Sequence, residues 1–420
     1  MFNFKFEFIN RIKKTLFPFY KNSEIQFIFS KLQEDFPTKP KKAMFVGGCV
    51  RKHLSNEKID DIDIATSLTT DQIKEKFKKT KLKIVDSGIK HGTITIVSKN
   101  FKFEITTLRK DVKTDGRHAE IEYTENWQTD SERRDFTINA IYLDNKGNLF
   151  DPQLGTIDLK NRNIKFIGDP NKRIEEDYLR IIRFIRFSIE YESEAESSTL
   201  EAIKLNLNGV RKISKERILN ELIKILKNEN FINIINKKNL KEVFLLIFPE
   251  FKYFERLNYL KKLQNRLNLN YKIILSILLI DGKDNHEYFA HKYNISNDLR
   301  QFLKYTSDNY KTMLENKNFF KNDLKKNIYL IGKENLKILN FLKFSENKKN
   351  KLDEYLNIFQ RIQSLNIPKF TIDGSYLKKH GMNEGLLMGK TLKILEKEWL
   401  KNDFKISREK ILEIIKKQLS

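Results

Sequence analysis

The chain has little cysteine, proline or tryptophan, and the lack of cysteine excludes whole classes of structure. It is 420 residues long, with 1 Cys, 7 Pro and 2 Trp. A single cysteine, Cys49, excludes an internal disulfide framework and a metal centre built from several thiolates. No uninterrupted apolar stretch approaches the ~18–20 residues that span a membrane. Residues 1–20 alternate aromatic and charged side chains, unlike a signal peptide. We therefore expect a cytoplasmic protein.

Positive charge is what the sequence has in excess. It carries 80 Lys and Arg against 56 Asp and Glu, a formal net charge of +24. A hydrophobic content of 40% is sufficient for packed cores. An excess of this size is common in proteins that bind polyanions, although a chain rich in Lys, Asn and Ile also arises from AT-rich coding. Charge alone therefore favours a nucleic-acid partner without establishing one.

Hydrophobic periodicity divides the chain into two regimes. Strand and helix patterns are mixed between about Lys41 and Asp158, whereas a helical period of 3.6 residues continues from about Arg173 to Ile415. A helix over 71–79 is expected, capped by Thr69 or Thr70. Two hairpins are predicted, 93–97 with 101–106 and 137–143 with 148–150. The predicted fold class is α+β, a small mixed sheet with helices followed by an elongated all-helical region.

Three carboxylates are placed by strand alternation. Asp61 and Asp63 flank Ile62 on a predicted strand, so both carboxylates lie on one face of it. In the segment 101–105, Glu104 points away from the face that its aromatic and aliphatic neighbours share. Adjacent carboxylates repel and favour a hard cation such as Mg²⁺, but an isolated Asp-x-Asp or strand Glu is more often simply solvated. The pattern predicts a metal site only if its surroundings support one.

Three further segments provide that support. Gly47 and Gly48 stand where a predicted strand meets a helix, which lets backbone N–H groups approach a phosphate, and Arg51 can add a contact. Residues 133–140 begin with two arginines that are predicted to enter an apolar strand, which is costly unless they meet anions. Residues 176–183 are predicted to be helical, so that Asp177 and Arg180 lie side by side.

In order and spacing, these segments resemble the class II transfer-RNA nucleotidyltransferases and the related bacterial poly(A) polymerases, which belong to the polymerase-β-like nucleotidyltransferases. The resemblance runs from about Ala43 to Lys224 and includes residues 106–109 and 213–218. One departure is Lys52, where the family usually has an aspartate. The resemblance implies a small mixed-sheet nucleotidyltransferase head followed by an elongated all-helical neck, body and tail. The predicted parts are an N-terminal extension (1–25), the head (26–155), the neck (156–226), the body (227–350) and the tail (351–420).

The resemblance implies template-independent addition of CCA to the 3′ end of tRNA from CTP and ATP. It implies that Asp61 and Asp63 hold two Mg²⁺ ions, with Glu104 as an auxiliary catalytic carboxylate. The residues expected to bind phosphate and ribose are Gly47, Gly48, Arg51, Arg134, Asp135 and Asn139. The residues expected to select the base are Glu176, Asp177, Arg180 and Arg183. Cytosine and adenine each present an amino donor beside a ring-nitrogen acceptor, which Asp177 and Arg180 match.

Several members of this family fit the resemblance. Full CCA addition requires a flexible loop, which the polar segment 110–125 fills; its expected functional residues are Arg109, Asp111 and Arg117. Residues 88–93 are similar to the CCA-adding version rather than the poly(A) version. Poly(A) synthesis, A-only addition and a non-catalytic RNA-binding protein are the alternatives. We expect the helical half to bind the acceptor end and elbow of tRNA through phosphates, and the chain to be a monomer or weak dimer.

Overall fold

The computed structural model describes residues 18–33, 41–59, 61–89, 92–114, 119–263, 269–346 and 351–419. The chain divides into two compact units, Met1–Pro249 and Glu250–Ser420. Strands lie in the first unit, and the described residues of the second are helices and connections, which confirms the predicted α+β class. Within these residues, no helix combines the length and the apolar character needed to cross a bilayer.

Most of the strands of the first unit form one mixed sheet. The described strands are β1 (Ala43–Val46), β2 (Ile62–Thr66), β3 (Lys83–Gly88), β4 (Thr93–Val97), β5 (Lys102–Thr107), β6 (Arg109–Thr114), β7 (Ala119–Tyr123), β8 (Tyr142–Leu143) and β9 (Leu149–Phe150). Seven of them form a sheet in the order β3-β4-β5-β2-β1-β8-β9, and β6 pairs separately with β7. Within the described sheet, β2 and β5 are parallel, and the other neighbours are antiparallel.

The sheet buries one row of side chains from β2 and β5. Ile62, Ile64, Phe103 and Ile105 are all 0% exposed and pack in one core. This confirms the alternation predicted for both segments, because the acidic residues between them lie on the opposite face. The same core receives the apolar side of the helix Ser23–Leu32.

The helices of the first unit cover this sheet and continue beyond it. They are α1 (Ser23–Leu32), α2 (Gly48–Leu54), α3 (Thr70–Lys78), α4 (Trp127–Glu132), α5 (Gly155–Lys160), α6 (Pro170–Glu176), α7 (Leu179–Glu190), α8 (Ser197–Asn206), α9 (Lys215–Lys227) and α10 (Lys238–Ile247). The predicted cap of α3 is confirmed, since Thr69 and Gln72 form a reciprocal capping box. Short 3₁₀ segments occupy Phe19–Lys21, Thr137–Asn139, Leu207–Lys212 and Glu229–Asn236.

The second unit contains the remaining helices. They are α11 (Arg256–Lys261), α12 (Tyr271–Leu279), α13 (Asn285–Tyr293), α14 (Asn297–Glu315), α15 (Leu324–Ile331), α16 (Lys333–Glu346), α17 (Leu352–Ser364), α18 (Gly374–Lys379), α19 (Leu386–Lys401) and α20 (Arg408–Leu419). The stretch between Ser364 and Gly374 is not helical, so it interrupts the helical period of this half near Pro368. Separate apolar clusters lie before and after this break, around Leu339 and around Leu395.

Two segments differ from the predicted elements. Residues 110–125, expected to be a flexible loop, belong largely to the β6–β7 hairpin, whose ladder satisfies backbone groups that a loop would leave to water. Arg117 and its neighbours 115–118 lie outside the described residues. The two arginines Arg133 and Arg134, called the double arginine below, were expected to enter a strand, but they directly follow α4. Asn126 caps α4 by accepting hydrogen bonds from the backbone N–H groups of Gln128 and Thr129, so the chain is helical before the arginines.

Candidate active site

The acidic residues of β2 and β5 are neighbours across the parallel strand pair. The register places Asp63 opposite Glu104. Asp61 comes immediately before β2 and is exposed. Because directly opposed residues of neighbouring strands have side chains a few ångströms apart, the structure brings Asp63 and Glu104 together on one face of the sheet.

The surroundings of Asp63 favour its protonated form. Burial, and after it the negative charge of Glu104, raise the pKa of Asp63 to about 6, although Arg134 and Arg51 act in the opposite direction. Lys102 supplies a positive charge at the rim, since its Nζ lies 2.5 Å from Oε1 of Glu104. The carboxylates of Asp63 and Glu104 therefore repel one another, and a bound cation would relieve this repulsion.

The Gly47–Gly48 turn packs directly against this carboxylate pair. Gly47 has a φ of 71°, a conformation that glycine adopts without strain, and it forms the N-cap of α2. A Cβ at Gly47 would lie 3.5 Å from Oδ2 of Asp63. The turn predicted to bind phosphate and the carboxylates predicted to bind metal are thus adjacent.

A chain of buried polar contacts runs from α2 towards α7. Arg51 donates to Oδ1 of Asn139 and, at 3.1 Å, to the hydroxyl of Tyr191. Asn139 donates to Oδ1 of Asp135 at 2.6 Å, and Arg183 Nη2 lies 2.6 Å from Oδ2 of the same carboxylate. Burial alone would raise the pKa of Asp135, but Arg183 and Asn139 hold it well below its usual range. Three of the residues predicted to bind phosphate and ribose, namely Arg51, Asp135 and Asn139, therefore orient one another.

The double arginine is anchored by Asp130, which the sequence analysis did not single out. Asp130 is 0% exposed and pairs with Arg133 at 2.7 Å and with Arg134 at 3.0 Å. It also accepts a hydrogen bond from Tyr142 at 2.7 Å and from the backbone N–H of Arg109 at 3.3 Å. Burial alone would raise the pKa of Asp130, yet the two arginines hold it far below its usual range.

The helix expected over residues 176–183 is interrupted at Asp177. Helix α6 ends at Glu176, Asp177 is extended with φ −156° and ψ 102°, and α7 begins at Leu179. The aspartate carboxylate accepts a hydrogen bond from the backbone N–H of Leu179 at 3.1 Å, which replaces a helical bond at the start of α7. The expectation that Asp177 and Arg180 lie side by side on one helix was therefore wrong.

Each member of that expected pair has another partner in the described structure. Asp177 Oδ2 lies 2.6 Å from Nη2 of Arg217 in α9. Arg180 donates to Glu176 and, at 2.8 Å, to the carbonyl oxygen of Arg173. Arg180 also donates to the carbonyl oxygen of Arg133 at 3.3 Å, which connects α7 to the double arginine.

Known proteins match this chain along nearly its whole length. The family described as "Poly A polymerase head domain" matches residues 43–165, and the family described as "Probable RNA and SrmB- binding site of polymerase A" matches residues 194–254. The mitochondrial CCA tRNA nucleotidyltransferase 1 of Mus musculus is 31% identical over 97% of this chain and 95% of its own length. The CCA-adding enzyme of Staphylococcus haemolyticus is 30% identical over 90% of this chain and 94% of its own.

The chain belongs to the CCA tRNA nucleotidyltransferase family.

Solved structures of CCA-adding enzymes have the same fold. The Bacillus stearothermophilus enzyme in complex with CTP matches with a TM-score of 0.67 at 22% identity, over 95% of this chain and 98% of its own. The Thermotoga maritima enzyme complexed with tRNA matches with a TM-score of 0.63 at 23% identity, over 96% of this chain and 97% of its own. As a member of the CCA tRNA nucleotidyltransferase family, this chain is a nucleotidyltransferase.

The donor set suits the divalent metal on which nucleotidyltransferases generally depend. Asp61, Asp63 and Glu104 offer hard carboxylate oxygens, and burial together with the charge of Glu104 raises the pKa of Asp63. Within the described ranges, no cluster of three or more acidic, histidine or cysteine side chains is already closed around a common point. The oxygen chemistry of the three carboxylates fits a hard divalent metal.

Several residues of this site were missed by sequence reasoning. Asp130 lies one turn before the double arginine, and its i,i+3 and i,i+4 spacing from Arg133 and Arg134 was the available signal. Arg217 and Glu221 pair with Asp177 and with Arg186, across 40 and 35 residues of sequence respectively. No local pattern predicts such long-range pairs. Of the expected loop residues, Arg109 and Asp111 contact one another at 3.2 Å.

Proposed function

We propose that this chain adds CCA to the 3′ end of tRNA from CTP and ATP, without a template and with release of pyrophosphate. The observation that carries the proposal is the register of β2 against β5, which pairs Asp63 with Glu104 beside the Gly47–Gly48 turn. A pair of carboxylates next to a turn that can bind phosphate suits a metal-assisted attack on a nucleoside triphosphate. Membership in the CCA tRNA nucleotidyltransferase family supports the same reaction.

We propose that Asp61, Asp63 and Glu104 bind the divalent metal, of which two Mg²⁺ ions are expected. When bound, it would polarise the α-phosphate and lower the pKa of the attacking 3′-hydroxyl. The turn at Gly47–Gly48 offers backbone N–H groups to the triphosphate at the start of α2.

The buried network would place the ribose and the phosphates. Asn139 is fixed between Arg51 and Asp135, so its side chain is held in one orientation. Arg134 is held by its ion pair with Asp130. It lies close enough to Asp63 for its positive charge to lower the pKa of that carboxyl group. A guanidinium that is already positioned loses little entropy when an anion binds.

Base selection is assigned to the residues at the junction of α6 and α7. Asp177 can accept from the amino group of cytosine or adenine, and Arg180 can donate to the adjacent ring nitrogen. Uracil and guanine present the reverse order and would leave both groups unpaired, which discriminates by factors on the order of 10⁴. In the described structure Arg180 is engaged by Glu176, so binding of the base must compete with this contact.

The test is an addition assay on tRNA that ends at its discriminator base. Wild-type protein with CTP, ATP and Mg²⁺ should yield 3′ ends that carry CCA and stop after one A, as read by sequencing. Chelation of the metal with EDTA, or the variants Asp61→Ala and Asp63→Ala, should abolish addition while RNA binding persists. Asp86→Ala is the matched control, because Asp86 contacts Lys74 on an exposed surface of the same unit. Absence of addition by the wild type would contradict the proposal.

A second candidate is poly(A) synthesis, which the description of the family matched over residues 43–165 favours. The same assay separates the two, because a poly(A) polymerase would add long A tails and would not require CTP. A-only addition would appear as a single A on tRNA that already ends in CC and as no product on tRNA that ends at the discriminator base.

We further propose that the tRNA acceptor end and elbow bind the helical half, and that the chain acts as a monomer or weak dimer in the cytoplasm. The net charge of +24 supports binding through phosphates. The boundaries predicted between the N-terminal extension, head, neck, body and tail, after residues 25, 155, 226 and 350, also remain predictions. Light scattering with and without tRNA would test the oligomeric state. Cell fractionation would test the compartment, since the vertebrate relatives are named mitochondrial.

A further inference from the structure

The junction between α6 and α7 is anchored from outside by residues distant in sequence. We call Asp177 and Tyr178 the base-reading turn, and residues 207–217, which run from the 3₁₀ segment into α9, the anchoring segment. Because the backbone of Asp177 is extended, its carboxylate does not point in the direction that it would have on a continuous helix. Its direction is therefore set by what it contacts.

Arg217 fixes the carboxylate of Asp177. The guanidinium Nη2 lies 2.6 Å from Oδ2, and the other oxygen accepts from the backbone N–H of Leu179 at 3.1 Å. Each carboxylate oxygen can accept two hydrogen bonds, so Asp177 keeps unused lone pairs. Its side chain is 23% exposed, which leaves room for a partner. The contact with Arg217 therefore orients the carboxylate of Asp177 and leaves it able to accept a further hydrogen bond.

Gly209 fixes the other half of the base-reading turn. The ring of Tyr178 lies against the backbone of Gly209 so closely that a Cβ there would be 2.0 Å from Cδ1 of the ring. Lys212 lies over the same ring, with its Nζ 5.4 Å from the centroid. Only glycine allows this approach, so the anchoring segment contacts both residues of the turn by independent means.

We propose that Arg217 and Gly209 are positioning residues that determine nucleotide selectivity, because they hold the base-reading turn and the carboxylate of Asp177 in one position. This inference rests on the proposed function and extends it to residues that do not touch the nucleotide. Without Arg217, the carboxylate loses a contact that fixes its χ1 and χ2 angles, so it no longer presents one fixed acceptor to the base. The penalty against uracil and guanine would then fall.

The experiment measures kcat/KM for each of the four nucleotides on tRNA that ends at its discriminator base. Arg217→Gln should lower the selectivity for CTP over UTP by about tenfold or more, the equivalent of one lost hydrogen bond between charged groups. Its kcat for CTP should change far less. Arg217→Lys should restore part of the selectivity, because it keeps the charge but not the planar fork. Arg211→Gln, an exposed arginine of the same segment, should match the wild type.

Gly209→Ala provides a second and independent test, since it leaves Arg217 intact and displaces the ring of Tyr178. It should also reduce the selectivity for CTP over UTP. In the double variant Asp177→Asn, Arg217→Gln, selectivity should equal that of Asp177→Asn alone, because Arg217 acts through Asp177. Circular dichroism and thermal unfolding confirm that each variant is folded.

The outcomes separate this inference from the proposed function. CCA addition by the wild type, with unchanged selectivity in Arg217→Gln and Gly209→Ala, would overturn the inference alone. An equal loss of kcat/KM for all four nucleotides would also overturn it, since that is the result of a purely structural role. No nucleotide addition by the wild type would overturn both.

Discussion

Replacement of Asp130 by asparagine should strongly destabilise the first unit. In the wild type, this buried carboxylate accepts from Arg133, Arg134 and the hydroxyl of Tyr142. Asparagine has nearly the same shape, but it loses the negative charge and turns an amide NH₂ towards groups that are themselves donors. Two guanidinium groups would then lack their common counter-charge in a buried setting.

The expected magnitude follows from the burial of this cluster. Asp130 is 0% exposed, and the side chains of Arg133 and Arg134 are 14% and 15% exposed. Removal of one partner from a buried ion pair costs about 3–5 kcal/mol, and the isosteric change places Asp130→Asn near 3 kcal/mol. For a unit of this size, that corresponds to a lowering of Tm by roughly 6–12 °C.

Tryptophan fluorescence can follow the first unit specifically. The chain has 2 Trp. Trp127 lies in α4, with its ring 5.5 Å from that of Tyr142, whereas Trp399 lies in the second unit. In a Trp399→Phe background, thermal unfolding therefore reports the surroundings of Asp130. Glu132→Gln is the matched control, because Glu132 is exposed on the same helix and should change stability by less than ~0.5 kcal/mol.

The pH dependence provides a second reading of the same variant. The folded protein holds the pKa of Asp130 below its usual range, so the carboxylate stabilises the fold fully above its unfolded pKa. This contribution is lost as the pH falls towards the folded pKa. The difference in stability between wild type and Asp130→Asn should therefore be greatest near neutrality and narrow below about pH 4. Equal Tm values for Asp130→Asn and Glu132→Gln at pH 7 would refute the reasoning.

Two further predictions concern selectivity and packing. Asp177→Ala should relax the choice of CTP and ATP over UTP and GTP more than it slows addition, and retained selectivity in a four-nucleotide competition assay would count against it. Gly155→Ala should lower the stability of the first unit by about 1–3 kcal/mol, because a Cβ there would lie 2.1 Å from the carbonyl oxygen of Thr137. Gly389→Ala lies within α19 with no atom within 4 Å of the added Cβ, so chemical denaturation should show up to ~1 kcal/mol of stabilisation. Similar effects of the two alanines would contradict this argument.

Elements with a strong local period could be predicted from the sequence. The alternation around Ile62 and Phe103 gave the strands and the face of the carboxylates, because burial on one side of a strand imposes a period of two. The cap at Thr69 was predictable from side-chain chemistry that acts within three residues. These features depend on neighbours along the chain, so one sequence suffices to find them.

Features that depend on distant partners could not be predicted. The apolar period continues across Asp177, whereas the turn there is held by long-range contacts of Asp177 with Arg217 and of Tyr178 with Gly209. The β6–β7 hairpin was missed because its strands are polar, so alternation around Val112 gave little signal. At the Asp177 turn, tertiary contacts outweigh local preference.

The parallel pairing of β2 with β5 has a consequence for how this family can vary in length. Opposed positions on directly paired strands keep their spacing whatever the chain does between them, so Asp63 and Glu104 do not depend on the length of the crossover. Extra residues inserted at the tip of the β4–β5 hairpin, around Lys99, should leave the two carboxylates opposite one another. Insertion of a single residue between Asp61 and Asp63 would instead move one of them to the buried face, because side chains of a strand alternate between its two faces. The two segments should thus differ sharply in their tolerance of insertions and deletions.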